Sequence, residues 1–134
     1  MTRKQKDLLL RDIRSRLPYG IKVKIQNEEG IWRILEINSN GTLTTIRNIG
    51  YPMDINLSQC KPYLFPMSSI TKKQERKLFE ICGIQYINDI LYTNSEFTLR
   101  EVLDGIEWLN SNHFDYRGLI EKGLAINATG LEIY

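Results

Sequence analysis

The stretch IWRILEINSNGTLTTI, residues 31–46, decides the fold of the first half of the chain. Its many β-branched and aromatic residues favour β-strands, and the dipeptide Asn40-Gly41 is typical of the tight turn in a hairpin. Just upstream, in residues 21–26, apolar and polar residues alternate as they do in a half-buried strand. The sequence therefore predicts an antiparallel sheet that begins after residue 20.

Further short strands are expected downstream of this hairpin. Gly50 and Pro52 indicate a turn, and the stretch MDINLSQC, residues 53–60, suits one or two brief strands. Four or five short strands over about 45 residues, all with tight connections, favour a small antiparallel barrel or a strongly curled sheet. We predict an SH3-like β-barrel.

The first residues of the chain predict a helix that precedes the barrel. Thr2 and Gln5 have the spacing of a capping box, and Pro18 with Gly20 ends the helix. One face is apolar, whereas the opposite face is basic and could meet nucleic-acid phosphates or an acidic partner. A solvated surface is the simpler interpretation. With two lysines of the first strand, this face defines the candidate nucleic-acid residues: Arg3, Lys4, Arg11, Arg14, Lys22 and Lys24.

The stretch KPYLFPMSSIT, residues 61–71, separates this half of the chain from the next. Pro62 and Pro66 favour an extended segment that is neither the interior of a helix nor a central strand. The segment is too apolar for a free linker, so we expect it to pack against its neighbours. We predict a helix plus barrel in residues 1–66 and a compact helical domain in residues 67–134, packed together through the connector at residues 61–70.

Helical patterns dominate the second half of the chain. Thr71 with Gln74 and Thr98 with Glu101 form two more capping boxes, each followed by apolar residues at helical spacing. Residues 84–92 fit either a helix or a strand, because their apolar spacing suits a helix and their β-branched and aromatic content suits a strand. The fold class that these patterns predict is α+β.

The stretch WLNSNHFDYRGLIEKGLAI, residues 108–126, predicts a tight helix connection. Asp115 suits the N-cap of a short helix over residues 116–122, which would end at Gly123 in a Schellman motif. A glycine inside such a helix costs about 1 kcal/mol relative to alanine. Gly118 therefore suggests the close approach of another backbone, a side chain or a ligand.

The same stretch holds the only histidine of the chain, His113. With Asp115 it could form an acid–base pair, and Arg117 could hold an anion near a helix N-terminus. We favour the structural interpretation, because short motifs specify an activity weakly. Among aromatic candidates, Trp32 and Tyr63 could join a ligand surface, although filling a core is the commoner role. The ligand or partner candidates are His113, Tyr116, Arg117, Gly118, Trp32 and Tyr63.

Composition and charge bear on the compartment and on the class of partner. The chain has 134 residues, 42% of them hydrophobic, and a formal net charge of +2, which suits a globular protein. Residues 1–67 carry 11 Lys and Arg against 6 Asp and Glu, whereas residues 68–134 carry 7 against 10. The two halves therefore present different surfaces. Two distant cysteines, and no apolar run long enough for a signal peptide or a membrane span, predict a cytoplasmic protein.

Two blocks of the sequence, residues 61–71 and residues 108–126, resemble a known group of proteins. With their strings KPYLFPMSSIT and WLNSNHFDYRGLIEKGLAI, they resemble small proteins encoded by phages, prophages and mobile elements of gut Bacteroidetes. The resemblance covers under a quarter of the chain and leaves out the predicted barrel. It implies an accessory protein of a mobile element and transfers no catalytic residue.

These observations predict a non-catalytic binding or adaptor protein of a phage or mobile element, which engages a host or phage protein or a small anionic ligand. One alternative is a nucleic-acid-binding protein that uses the basic N-terminal half. The other alternative is a small enzyme that uses His113. Neither a cofactor nor a metal is expected, since one histidine with scattered carboxylates falls short of the ligands that a transition metal needs.

Overall fold

The computed structural model describes residues 1–92 and 96–134, which form an α+β fold. The α-helices in these two ranges are α1 (Arg3–Arg16), α2 (Lys72–Cys82) and α3 (Leu99–Ser111). Within the same ranges, three short 3-10 helices span Leu17–Tyr19, Leu57–Gln59 and Met67–Ser69. The strands are β1 (Lys22–Ile25), β2 (Trp32–Ile37), β3 (Leu43–Ile46), β4 (Met53–Ile55), β5 (Cys60–Pro66), β6 (Gln85–Ile87), β7 (Ile90–Tyr92), β8 (Phe114–Asp115) and β9 (Ile126–Asn127). No helix in the described part of the chain combines the length and the apolar character that a membrane span requires.

One sheet runs through most of the molecule. Its strands lie in the order β4, β3, β2, β1, β5 and β8, and β9 also pairs with β5. Strands β1 to β5 are antiparallel to their neighbours, which confirms the predicted antiparallel sheet, whereas β8 and β9 run parallel to β5. Among the described residues, β4 and β8 end this order without pairing to each other, so the predicted closed barrel is not found.

The hairpin predicted at Asn40-Gly41 is confirmed between β2 and β3. The Asn38 N–H donates to the Thr42 carbonyl at 2.8 Å, and the Gly41 N–H donates to the Asn38 carbonyl at 3.0 Å. Gly41 has a φ of +86°, a left-handed conformation that glycine adopts without a Cβ clash. A register shift at residues 34–36 adds a bulge to β2, and bulges increase the local twist of a sheet.

The prolines of β5 correct one expectation. The prediction that Pro62 and Pro66 exclude a central strand is wrong, because β5 pairs with β1, β8 and β9. The reason is the register of the β1–β5 ladder. The Gln26 N–H donates to the Gln59 carbonyl at 2.7 Å, and hydrogen-bonded pairs alternate with non-bonded pairs in an antiparallel ladder. The pair of Val23 with Pro62 falls on a non-bonded position, so the missing proline N–H costs no bond to β1.

The main core combines α1, the sheet and the C-terminal segment. α1 begins with the predicted capping box at Thr2 and buries Leu9 and Ile13 in this core. Leu119 and Leu124, from the other end of the chain, lie in the same core. Residues from both predicted domains therefore share one core, and β5 joins strands from both into one sheet.

Helices α2 and α3 pack on each other over a second core that contains Leu78 and Leu109. Both helices begin with the predicted capping boxes, at Thr71 and Thr98. The helices approach closely at Gly105, where an added Cβ would lie 2.1 Å from the Cys82 Sγ atom. A side chain larger than hydrogen therefore has no room at this position.

Residues 84–92, which fitted either a helix or a strand, form a hairpin of β6 and β7. The two turn residues, Asn88 and Asp89, have φ values of +50° and +64°, as a two-residue type I′ turn requires. The predicted helical domain in residues 67–134 therefore needs a correction. In its described part, short strands β6 to β9 accompany the two helices, and β8 and β9 extend the main sheet.

Candidate functional site

His113 lies two residues after the end of α3, in the interior of the protein. Its φ of +60° is left-handed, and its carbonyl accepts a hydrogen bond from the Phe65 N–H at 2.8 Å. The residue is 6% exposed, and its imidazole stacks on the Tyr134 ring with 3.7 Å between the ring centroids. The imidazole Nδ1 atom has no hydrogen-bond partner among the described residues. His113 thus contributes a turn and an aromatic contact to the fold.

Burial keeps the imidazole of His113 uncharged at neutral pH. Desolvation, with the positive charges of Arg16 and Lys22, lowers its pKa to about 4, against the opposing influence of Asp12. A general acid or base works best when its pKa lies near the working pH. This histidine is therefore poorly matched to proton transfer at neutral pH.

Asp115 caps a turn of the chain. Its carboxylate accepts hydrogen bonds from the N–H groups of Leu119 at 2.8 Å and Ile120 at 2.9 Å. The predicted helix over residues 116–122 is wrong, since these residues form turns. The physical reason is Gly118, whose φ of +73° is left-handed and interrupts a right-handed helix. Asp115 and His113, considered above as a possible acid–base pair, form no hydrogen bond with each other in the described part of the chain.

The end of this segment has the hydrogen bonds predicted for it. The Leu124 N–H donates to the Leu119 carbonyl at 2.9 Å, and the Gly123 N–H donates to the Ile120 carbonyl at 3.0 Å. These are the two bonds of a Schellman motif, and Gly123 has the left-handed φ, +71°, that the motif requires. The predicted motif therefore closes a single turn in place of a helix.

Arg117 belongs to a buried ionic group that we call the Asp12 cluster, formed by Asp12, Arg16 and Arg117. The Asp12 carboxylate accepts from the Arg117 Nη1 and from the Arg16 Nε, both at 2.9 Å. Asp12 and Arg16 are fully buried, and the Arg16 Nη2 also donates to the Phe114 carbonyl at 2.6 Å. The cluster thus joins α1 to the segment that follows α3.

Tyr116 extends the Asp12 cluster towards α3. Its ring centroid lies 5.4 Å from the Arg16 guanidinium carbon and 4.7 Å from that of Arg117, which are cation–π distances. Its hydroxyl donates to the Asn110 Oδ1 at 2.8 Å. Tyr116 and Arg117 therefore have structural partners inside the protein.

The candidates of residues 108–126 do not converge on one cavity. His113 lines a cavity of about 460 Å³ together with Tyr134. Asp115, Tyr116 and Gly118 line a different cavity, of about 420 Å³, beside the β6–β7 hairpin. Two separate cavities do not form the shared site that a common ligand would need.

The aromatic candidates Trp32 and Tyr63 are buried in separate cores. Trp32 is 4% exposed, its Nε1 donates to the Glu29 carbonyl at 3.1 Å, and the Arg47 guanidinium carbon lies 5.0 Å from its ring centroid. Tyr63 is 8% exposed and packs with Ile133 near the C-terminus. The structure therefore does not place these two rings on one surface.

The candidate nucleic-acid residues lie in three different places. Lys22 is engaged inside the protein, since its ammonium donates to the Ile133 carbonyl at 2.8 Å. Lys24 lines a small groove beside Lys61. The other four are exposed on the face of α1 that points away from its buried residues, and we call them the α1 basic face: Arg3, Lys4, Arg11 and Arg14.

An exposed apolar surface on the β6–β7 hairpin escaped the sequence analysis. We call it the hairpin face, and it consists of the cross-strand pairs Gln85–Tyr92 and Ile87–Ile90. Ile87, Ile90 and Tyr92 are 46%, 52% and 49% exposed. The pair on the opposite face, Tyr86 and Leu91, packs on the second core. The signal in the sequence is the presence of apolar residues at successive positions on both sides of Asn88-Asp89, because a hairpin places successive side chains on opposite faces.

A basic groove along α2 also escaped the sequence analysis. We call it the α2 groove, and its volume is about 770 Å³. The run KKQERK, residues 72–77, is the part of the sequence that could have indicated this groove. Such a run is typical of a solvated helix face, so it does not by itself predict a binding site. The residues that line the groove are Thr71, Lys73, Gln74, Arg76, Lys77, Glu80 and Trp108.

Reactive groups are scarce in the described residues. In residues 1–92 and 96–134, no three His, Cys, Asp or Glu side chains form a group that could hold a metal ion. Burial raises the pKa of the Cys60 thiol to about 12 and also raises that of Cys82. A nucleophilic cysteine needs a lowered thiol pKa, so neither cysteine is prepared for attack at neutral pH.

Comparisons with known proteins do not point to a function for these residues. No model of a known protein family matches the chain, and neither curated proteins nor solved structures show a significant similarity to it. The features that suggest a function are surface ones: the hairpin face, the α2 groove and the α1 basic face.

Proposed function

We propose that this chain is a non-catalytic binding or adaptor protein that engages a partner protein through the hairpin face. We include in the proposal that it is an accessory protein of a phage or mobile element, on the strength of the resemblance of residues 61–71 and 108–126. A reducing compartment, the cytoplasm, is also part of the proposal, because Cys60 and Cys82 are free thiols.

The observation that carries this proposal is the chemistry of the hairpin face. Ile87, Ile90 and Tyr92 lie side by side on one face of β6 and β7 and are about half exposed. Contiguous exposed apolar side chains mark interaction sites more often than single ones do. Within the described part of the chain, β6 and β7 pair only with each other, and an edge strand can accept an extended segment of another protein.

The N-terminal half supports the proposal in a secondary way. The strand order β4, β3, β2, β1, β5 is the order of an SH3-like sheet, so we propose an SH3-like arrangement for these five strands without a closed barrel. We do not propose catalysis by His113, because a buried neutral imidazole without a hydrogen-bonded carboxylate lacks the features of an acid–base group.

Capture of partners from a host lysate, followed by mass spectrometry, tests the proposal. The variant Ile87→Ser/Ile90→Ser removes apolar surface without adding charge, and Ile49→Ser is a matched control because Ile49 is 85% exposed and lies outside the hairpin. We expect the natural chain and the control to retain the same protein and the hairpin variant to lose it. If no protein is retained, or if the hairpin variant retains it equally, the proposal fails.

The α1 basic face favours a second candidate, nucleic-acid binding. One side of α1, a helix of 14 residues, exposes Arg3, Lys4, Arg11 and Arg14. The affinity of such a face for nucleic acid falls as the salt concentration rises, because binding releases counterions from the phosphates. The double reversal Arg11→Glu/Arg14→Glu should abolish retention on DNA or RNA at low salt. Unchanged retention after both reversals would remove this candidate.

A further inference from the structure

The positive charge of the second half of the chain is concentrated on α2. Residues 68–134 carry 7 Lys and Arg against 10 Asp and Glu, and four of those seven cations fall within residues 72–77. Lys73, Arg76 and Lys77 are all exposed and form no salt bridge with a described residue. α2 is therefore a local positive surface in an acidic half, and such a surface selects partners by charge.

The α2 groove combines this charge with an aromatic wall. The Trp108 ring is partly exposed, and it stacks on the Phe114 ring at a centroid distance of 5.9 Å and an interplanar angle of 21°. This stacking holds the indole, which lines the α2 groove together with Lys73 and Lys77. Aromatic rings held in this way are common anchor points for a bound peptide, because they offer a large contact area with little loss of entropy.

We propose that the α2 groove binds an acidic segment of a partner protein, with carboxylates at Lys73, Arg76 and Lys77 and an apolar side chain against Trp108. The inference rests on the proposed function and names the chemistry of the partner. Arg76 also lines a smaller groove together with Phe79 and Gln85, and Gln85 belongs to the hairpin face. The hairpin face and the α2 groove would then contact different parts of the same partner.

A short acidic segment fits the groove better than a nucleic acid. Lys73 and Lys77 are one helical turn apart, about 6 Å along the axis, so the positive surface is short. Glu80 lies in the groove itself, and the surrounding half of the chain has an excess of acidic residues. Acidic residues outside the groove would repel a long polyanion. A peptide with a few carboxylates would contact only Lys73, Arg76 and Lys77.

Trp108 provides a direct signal for binding in the groove. The chain has two tryptophans, and the other one, Trp32, is 4% exposed and covered by Arg47. A change in tryptophan fluorescence on adding a ligand therefore reports on Trp108.

The experiment is a selection from a displayed library of random peptides, followed by fluorescence titration of the selected peptides. The test variant is Lys73→Glu/Lys77→Glu, and the control Lys6→Glu/Lys61→Glu makes the same change in net charge at exposed positions outside the α2 groove. We expect the natural chain and the control to enrich peptides with an excess of Asp and Glu next to apolar residues. The test variant should bind those peptides at least tenfold more weakly. Adding the peptides to this variant should leave its Trp108 fluorescence unchanged.

Several results would overturn the inference. Selected peptides without an acidic excess, no enriched peptide at all, or equal affinity for the test variant would each do so. If an oligothymidylate, added as a second probe, changed Trp108 fluorescence and the acidic peptides did not, the groove would be a nucleic-acid site. The two proposals fail separately: partner capture that needs Ile87 and Ile90 but not Lys73 and Lys77 would keep the proposed function and reject this inference.

Discussion

The Asp12 carboxylate lies 2.9 Å from the guanidinium Nη1 of Arg117, although 105 residues separate the two in the sequence. Asp12 is fully buried and also pairs with Arg16, which is fully buried as well. The residue that looked like an anion-binding candidate therefore has its anion inside the protein. The contact joins α1 to the turn that follows α3.

Removing the charge of Asp12 should destabilise the protein strongly. Asp12→Asn leaves two guanidinium groups without their carboxylate, and breaking a buried ion pair from one side costs about 3–5 kcal/mol. Arg117→Gln should cost only about 1 kcal/mol, because Asp12 keeps its pair with Arg16 and Arg117 is partly solvated. Urea denaturation measures both free energies of unfolding. A loss for Arg117→Gln as large as that for Asp12→Asn would contradict the role assigned to the cluster.

Asp115→Ala should lower the free energy of unfolding and leave partner binding intact. The substitution removes two hydrogen bonds to the N–H groups of Leu119 and Ile120, with an expected loss of about 1–2 kcal/mol. Asp104→Ala is the control, since Asp104 is an exposed carboxylate on α3. Thermal or urea unfolding compares the two variants, and equal stability would show that the capping interpretation is wrong.

The contribution of His113 to stability should depend on pH. Its folded-state pKa is about 4, below the usual value of 6.5, so the unfolded chain takes up a proton at a higher pH than the folded chain. The contribution of His113 to stability is therefore complete above pH 6.5 and is lost as the pH falls towards 4. The difference between the two pKa values corresponds to about 3 kcal/mol, since one pKa unit is about 1.4 kcal/mol. Partial solvent screening reduces the loss to roughly 2 kcal/mol.

His113→Asn isolates this effect. Asparagine tolerates the left-handed backbone of position 113 and does not titrate in this range. The difference in unfolding free energy between the natural chain and the variant should shrink as the pH is lowered from 7 to 4. A difference independent of pH would mean that the imidazole is not buried as described.

Gly105→Ala should destabilise the packing of α2 on α3. The new methyl group would lie 2.1 Å from the Cys82 Sγ and 2.8 Å from its Cβ, and overpacking of this kind costs about 1–3 kcal/mol. Adding Cys82→Ala should restore part of the loss, because the sulfur is gone but the Cβ remains. Calorimetric melting temperatures of the single and double variants provide the measurement, and a Gly105→Ala variant as stable as the natural chain would refute the close contact.

Features that depend on neighbours in the sequence could be predicted. The capping boxes at Thr2, Thr71 and Thr98, the hairpin at Asn40-Gly41 and the Schellman bonds at Gly123 involve residues within a few positions of one another. Side chains at such short separation meet whenever the backbone turns, so their spacing is informative. The α+β class and the antiparallel sheet were predictable for the same reason.

Features that depend on distant partners could not be predicted. The central position of Pro62 depends on which of its pairs with β1 is hydrogen-bonded, and this register is set across the sheet. The helix expected over residues 116–122 is absent because Gly118 is left-handed, which its residue type permits but does not require. The hairpin face became visible only when β6 and β7 packed one side on the second core.

The sequence by itself determined where helices begin, where the chain turns tightly and which half carries the excess of acidic residues. Only the tertiary structure decided the roles of His113 and Arg117. Burial against Tyr134 keeps the imidazole neutral, and the partner of the arginine is a carboxylate on α1. The physical reason is that ionisation and charge pairing depend on the surroundings of a side chain, and residues from the far end of the chain supply those surroundings.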